Sequence, residues 1–194
     1  MVSKYGMDNQ VSLAMLLGKI SAYQGMGALN LMINGLADIM QQARPLSCLD
    51  IYAETGNSDH YCNSFVRLAQ SLGKSVRLAG TFPPDEIGRI LRSLHVLIVP
   101  SIWYESIPLV LRSALNAGTP VIVSRMGGLT EPLSGDSFRQ SFPAGDAGAL
   151  CDLILDLLND PQRITRLRRD VAGKARTIAH YLDDVETLYH EVAR

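Results

Sequence analysis

From His95 to Glu131 the chain reads HVLIVPSIWYESIPLVLRSALNAGTPVIVSRMGGLTE. This is an apolar strand, a polar loop with one carboxylate at Glu105, a short helix, a second apolar strand and a double-glycine loop. Two parallel strands joined by a right-handed helical crossover end side by side, and open α/β sheets bind ligands at those carboxyl ends. The helix starts near Pro108, whose missing N–H is no loss in a first turn, and stops at Gly118, with Thr119 and Pro120 leading out. Its amino end therefore faces the same crevice as Glu105. Free backbone N–H groups and the helix dipole attract phosphate there, which points to an anionic ligand. Glu105 taken alone could equally be an acidic residue that only complements the dipole.

The elements around this segment alternate strand and helix. Val11 to Leu17 reads as a strand ending at Gly18, and Met26, Leu29, Met32, Ile33, Leu36, Ile39 and Met40 follow at helical spacing until Pro45. Leu46 to Ala53 is a second strand. Tyr61, Phe65, Leu68, Ala69 and Leu72 form the next helix stripe, closed by Gly73. Val76 to Ala79 is a third strand, and Pro84 opens a helix that turns Ile87, Ile90, Leu91 and Leu94 inward. His95 to Val99 is the fourth strand and Val121 begins the fifth. Ser137 to Phe142 is a candidate last strand, before Asp146 caps a helix carrying Leu150, Leu153, Ile154, Leu157 and Leu158 on one face. The tail is helical. Such alternation, without internal repeats, predicts an α/β doubly wound parallel sheet of the Rossmann-like type.

At 194 residues, 47% hydrophobic and 19% charged, the chain can bury one core, and we expect a single domain over residues 1–194. A formal charge of −1 provides no field that would draw it to nucleic acid. Apolar runs such as Val96 to Val99 are far short of a membrane span, and residues 1–10 lack the layout of a signal peptide. Cys48, Cys62 and Cys151 are odd in number and set in apolar segments, as reduced buried thiols of a cytoplasmic protein would be. His60, His95, His180 and His190 are scattered without a second ligand at metal spacing, so no metal is expected.

The central stretch carries Pro100, Ser101, Trp103, Tyr104, Glu105, Pro108, Leu109 and Val110, then Gly118 to Ile122, Ser124, Gly127, Gly128 and Glu131. In this order and context it resembles the carboxy-terminal, donor-binding domain of GT-B glycosyltransferases, specifically the retaining family 4 (group 1). The resemblance covers nearly the whole chain. It implies a domain that binds a nucleoside diphosphate sugar and, with an amino-terminal acceptor domain absent from this sequence, transfers a hexose-type sugar to an acceptor hydroxyl with retention. That acceptor half would lie in the same native chain or in a partner. No metal or other cofactor is implied, because helix-end amides and basic side chains stabilise the leaving diphosphate.

Residue by residue, the resemblance makes Glu105 the carboxylate that faces the donor sugar, where it accepts hydroxyl hydrogen bonds and stabilises positive charge at the anomeric carbon. Gly18 and Gly25 would leave room for the diphosphate, Lys19 and the amides of Leu109 and Val110 would bind it, and Gly127, Gly128 and Glu131 would approach the ligand. The glycines could also be ordinary turn residues. Three departures stand out. Ser113 occupies the place of the second Glu in the family's E-x7-E element and supplies one hydroxyl where a carboxylate would hold the ribose. Lys19 replaces a fork-shaped Arg by a point charge, and Gln24 replaces a Lys by a neutral amide. The alternative function is therefore a non-catalytic binding or interaction module whose donor site has decayed. Trp103 and Tyr104 are either a sugar-stacking platform or loop packing. The basic run Arg163, Arg166, Arg168, Arg169, Lys174 and Arg176 is either a solvated helix face or a peripheral contact with an anionic membrane.

Overall fold

The computed structural model describes residues 11–19, 47–54, 60–71, 73, 76–102, 104, 106, 108–133, 140–172 and 178–192. Six parallel strands, β1 Val11–Lys19, β2 Ser47–Glu54, β3 Val76–Gly80, β4 Val96–Val99, β5 Val121–Ser124 and β6 Ser141–Phe142, form one sheet in the order β3-β2-β1-β4-β5-β6. This is the doubly wound order in which the connections reverse direction between β1 and β4. The helices among the described residues are α1 His60–Ser71, α2 Ile87–Ser93, α3 Leu109–Asn116, α4 Gly127–Thr130, α5 Ala147–Asn159, α6 Pro161–Ala172 and α7 Ile178–Val192, with a 3-10 turn at Pro84–Glu86 leading into α2.

Both faces of the sheet are covered, which is why β4 and β5 read as unbroken apolar runs rather than as alternating ones. Val96, Ile98 and Ile122 pack with Ala69 of α1 and with Leu150, Ile154, Leu157, Ile164 and Leu167 of α5 and α6. Leu97, Val99, Val121 and Val123 point to the other side, against Leu91 and Leu94 from α2, Leu111 and Ala114 of α3, and Leu129 of α4. The period-two alternation of side chains thus places each strand in two helical layers at once.

The turns are set by identifiable residues. Gly118 adopts φ +70° just past α3, the left-handed conformation that ends helices, and the Thr119 N–H then donates to Ala114 O at 2.9 Å. The Thr119 hydroxyl, fully buried, donates to Leu91 O at 2.8 Å and so ties the end of α2 to the entry of β5. Asp146 caps α5 by accepting from the Ala149 N–H at 3.0 Å. At the amino end of β4 the Arg168 guanidinium of α6 donates to Leu94 O at 2.6 Å.

Several expectations change in detail. β1 runs past Gly18 to Lys19, with an irregularity in its register to β2 after Leu16 that lets the strand continue through the glycine. The last strand is confined to Ser141 and Phe142, and residues 134–139 lie outside the described set. So does the helix expected over Met26 to Met40. Cys151 is half-buried rather than buried, because it flanks the inward stripe of α5. The basic run is partly engaged within the fold, while Arg169 is exposed. Arg166 donates to Asp160 at 2.6 Å, Arg163 lies 3.7 Å from Asp156, and Arg168 is turned inward to Leu94. Lys174 and Arg176 are not among the described residues.

Candidate functional site

The site lies where the strand order reverses. Met15 of β1 is in register with Ile98 of β4, so the carboxyl end of β1, with Gly18 and Lys19, stands beside the exit of β4 at Pro100 and Ser101. Val99 is in register with Val123, which brings the end of β5 at Ser124 into the same row. Crevices at these ends are where open α/β sheets bind ligands. Pro100 and Ser101 are buried, so the chain leaves the sheet under cover and reaches solvent at Tyr104.

α3 opens onto this crevice with no side-chain cap among the described residues. Pro108 is the residue before the helix rather than its first member, at φ −61° and ψ 131°, and offers no side-chain acceptor. Its carbonyl accepts from the N–H groups of Leu111 at 3.0 Å and Arg112 at 3.3 Å. The N–H groups of Leu109 and Val110 have no acceptor among the described residues. Two free amides at the amino end of a helix are the arrangement that holds an oxyanion. Ser113 lies one turn below Leu109, half-buried, with its carbonyl accepting from the Ala117 N–H at 2.9 Å.

The double glycine is not a loop. Gly127 and Gly128 open the single-turn helix α4, preceded by Met126 in an extended conformation. The reason is packing: Leu129 and Leu133, fully or nearly buried, pull the segment down onto β5 and wind it into a turn. Glu131 is the residue after α4, exposed, its N–H donating to Gly127 O at 3.0 Å. A methyl group placed on Gly127 would lie 3.7 Å from Glu131 Oε1 and 4.0 Å from the Tyr104 ring. Tyr104, Gly127 and Glu131 are therefore gathered at one point beside the exit of β4, although Tyr104 is more than twenty positions earlier in the chain.

Other polar groups line the ends of β5 and β6. The Ser124 hydroxyl is fully buried with no hydrogen-bond partner among the described residues. Arg125, exposed, donates from Nη2 to Ser141 O at 3.2 Å, so its guanidinium is held toward β6. Among the described residues no group of three or more His, Cys, Asp and Glu side chains is placed to hold a metal ion. Nor is any of the described helices long and apolar enough to cross a membrane.

Of the residues expected in the site, Leu109, Val110, Ser113, Gly127, Gly128 and Glu131 are brought to the row formed by the ends of β4 and β5. Gly18 and Lys19 are placed there by the backbone of β1. Gln24, Gly25, Glu105 and Trp103 lie outside the described residues. Sequence reasoning missed the approach of Tyr104 to Gly127 and Glu131. The available signal was the helical spacing of Gly127 and Glu131, four apart, which puts them on one face.

Comparison with known proteins agrees with this architecture. Residues 15–160 match the family model of the glycosyl transferases group 1. The D-inositol 3-phosphate glycosyltransferase of Corynebacterium efficiens is 26% identical over 90% of this chain and 42% of its own length. The phosphatidyl-myo-inositol mannosyltransferase of Mycobacterium leprae is 33% identical over 58% of this chain and 29% of its own. This chain thus spans about two-fifths or less of the curated relatives it matches. In structure it is similar to Anabaena HepE (Alr3699) in complex with UDP-glucose, with a TM-score of 0.70 and 17% identity, over 94% of this chain and 49% of that one. It is also similar to the sucrose-phosphate synthase of Thermosynechococcus elongatus, with a TM-score of 0.70 and 24% identity, over 96% of this chain and 46% of that one. Both likenesses are of fold, the GT-B glycosyltransferase fold. The doubly wound order, the crevice at its reversal and the family match together make this chain a member of the group 1 glycosyltransferases.

Proposed function

We propose that this chain is the donor-binding half of a retaining glycosyltransferase that moves a hexose-type sugar from a nucleoside diphosphate sugar to an acceptor hydroxyl. The observation that carries the reading is the pair of amides at Leu109 and Val110, without an acceptor among the described residues and set beside the point where the strand order reverses. These amides and the Lys19 ammonium, at the end of the neighbouring strand, bind the leaving diphosphate and stabilise the charge it gains as the glycosidic bond breaks. Glu105 accepts hydrogen bonds from the sugar and offsets positive charge at the anomeric carbon. Gly18 and Gly25 admit the diphosphate, and Gln24 and Ser113 make neutral contacts where charged ones are usual in the family. No metal takes part in this scheme.

HepE in complex with UDP-glucose supports a nucleotide sugar as the ligand class, and the relatives' names support a hydroxyl of a polyol or sugar as acceptor. Because the matched relatives are more than twice as long as this chain, the acceptor side belongs to a second domain, in the same polypeptide or in a partner chain. The reading places the chain in the cytoplasm, where Cys151, half-buried on the flank of α5, would stay reduced.

Ser113 favours a second reading, a binding module that no longer transfers sugar. One hydroxyl, half-buried a turn below Leu109, replaces the carboxylate that would hold two ribose hydroxyls. Calorimetric titration with UDP, GDP, ADP and their glucose conjugates tests the leading proposal. Saturable binding of one nucleotide, weakened by Lys19→Ala, with its sugar increment lost in Glu105→Ala, supports it. The absence of binding by the folded chain at millimolar concentration, together with marked tightening in Gln24→Lys/Ser113→Glu, supports the decayed module instead.

A further inference from the structure

We propose that Tyr104, Gly127 and Glu131 form a shelf for a pyranose ring. The sugar's C–H face lies on the Tyr104 ring, its edge passes over the bare backbone of Gly127, and one hydroxyl donates to the Glu131 carboxylate. This rests on the glycosyltransferase reading above and extends it to three residues outside the phosphate contacts.

The first argument is that the fold does not require a glycine at position 127. Its backbone is not among those in the left-handed region, and it is the first residue of α4 and exposed. A methyl group there would meet Glu131 Oε1 at 3.7 Å and the Tyr104 ring at 4.0 Å, both ordinary contact distances. Alanine would fit and would serve the helix better. What glycine leaves is an open space with an aromatic ring on one side and a carboxylate on the other.

The second argument concerns the two walls. The Tyr104 side chain is 85% exposed, held out of the core by a segment whose preceding residues Pro100 and Ser101 are buried. Leu109, the first residue of α3, is 82% exposed. Glu131 follows the carboxyl end of α4, where the backbone carbonyls give an acid no electrostatic advantage. No described residue gives its carboxylate a hydrogen bond or an ion pair. An exposed ring and an unengaged carboxylate across a gap suit a neutral ring that is apolar on its face and hydroxylated at its edge. They do not suit a phosphate, which the carboxylate would repel. The shelf therefore takes the sugar, and the amides of α3 take the anion.

The sugar can come from the donor or from the acceptor, and one set of variants distinguishes them. Saturation-transfer NMR with methyl α-D-glucopyranoside and methyl α-D-mannopyranoside is run on the chain and on Tyr104→Ala, Tyr104→Phe, Gly127→Ala and Glu131→Gln. Calorimetry with UDP and UDP-glucose, and with GDP and GDP-mannose, runs in parallel. The shelf predicts transfer to the ring C–H protons of a glycoside or of a nucleotide sugar. That transfer falls by about threefold or more in Tyr104→Ala and Gly127→Ala and is kept in Tyr104→Phe. If the donor sugar occupies the shelf, the affinity advantage of the nucleotide sugar over its nucleotide falls about three- to tenfold in the same variants, with nucleotide affinity unchanged. If the acceptor occupies it, only the glycoside signal responds. Tyr104-dependent transfer in a chain that binds no nucleotide would uphold the shelf and remove the donor reading. Transfer that is absent from the folded chain, or unaltered by all the substitutions, overturns the shelf.

Discussion

Removing Arg77 should destabilise the protein far more than removing its partner. Arg77 of β3 donates from Nε and Nη2 to the two carboxylate oxygens of Asp50 on β2, at 2.8 and 2.7 Å. The two residues are in register across the sheet. The Asp50 side chain is only 5% exposed, whereas that of Arg77 is 42% exposed. Arg77→Met thus leaves a carboxylate on the buried side without its fork of donors, a change that costs about 3 kcal/mol. Asp50→Asn leaves a guanidinium that water can reach, and two charge-assisted bonds are exchanged for hydration and a neutral amide, at about 1 kcal/mol. The double variant Asp50→Leu/Arg77→Met should recover most of the larger loss, since no buried charge remains. Urea unfolding followed by far-ultraviolet circular dichroism measures all three, with the slope m expected unchanged. Equal costs for the two single variants, or a double variant no better than Arg77→Met, would refute the argument from unequal burial.

The pH and helix-end predictions rest on equally local causes. Burial, and next the neighbouring Arg168 charge, push the His95 pKa below its usual value. The unfolded chain then takes up the proton first. The stability His95 contributes is present above about pH 6.5 and is lost as pH falls through its folded pKa. Urea midpoints at pH 7.5 and 5.5 should differ less in His95→Asn than in the natural chain, and an unaltered difference would count against this. Gly118→Ala should cost about 1 kcal/mol through left-handed backbone strain alone, because the added methyl would sit 3.8 Å from Ala172 Cβ, a normal contact. Gly118→Asn should cost less, as asparagine tolerates that conformation, and thermal melts of the two variants decide it.

The strand and helix identities were legible because they depend on short-range patterns. The unbroken run Val96 to Val99, the stripe Leu150, Ile154 and Leu157 behind the Asp146 cap, and the Gly118 stop each obey a period or a backbone constraint acting within a few residues. Parallel pairing agrees with this alternation, since parallel strands need a long crossover connection, usually a helix. The match of residues 100–131 to a known glycosyltransferase pattern was likewise a matter of residue order.

The placement of residues far apart in the chain was not legible, because it is set by packing that no local pattern encodes. Gly127 and Gly128 looked like a loop and became a helical turn once Leu129 and Leu133 were buried against β5. Arg163, Arg166 and Arg168 read as part of a solvated or membrane-facing basic run, and the fold brings Asp156, Asp160 and the Leu94 carbonyl to them. Pro108 moved from the first turn of its helix to the position before it, and the Leu109 and Val110 amides that follow have no acceptor among the described residues. Local sequence thus specified most of the strands and longer helices and the chemistry of each side chain. The tertiary fold decided which of those side chains meet, because burying apolar faces on both sides of the sheet draws Tyr104, Gly127 and Glu131 to one end of it.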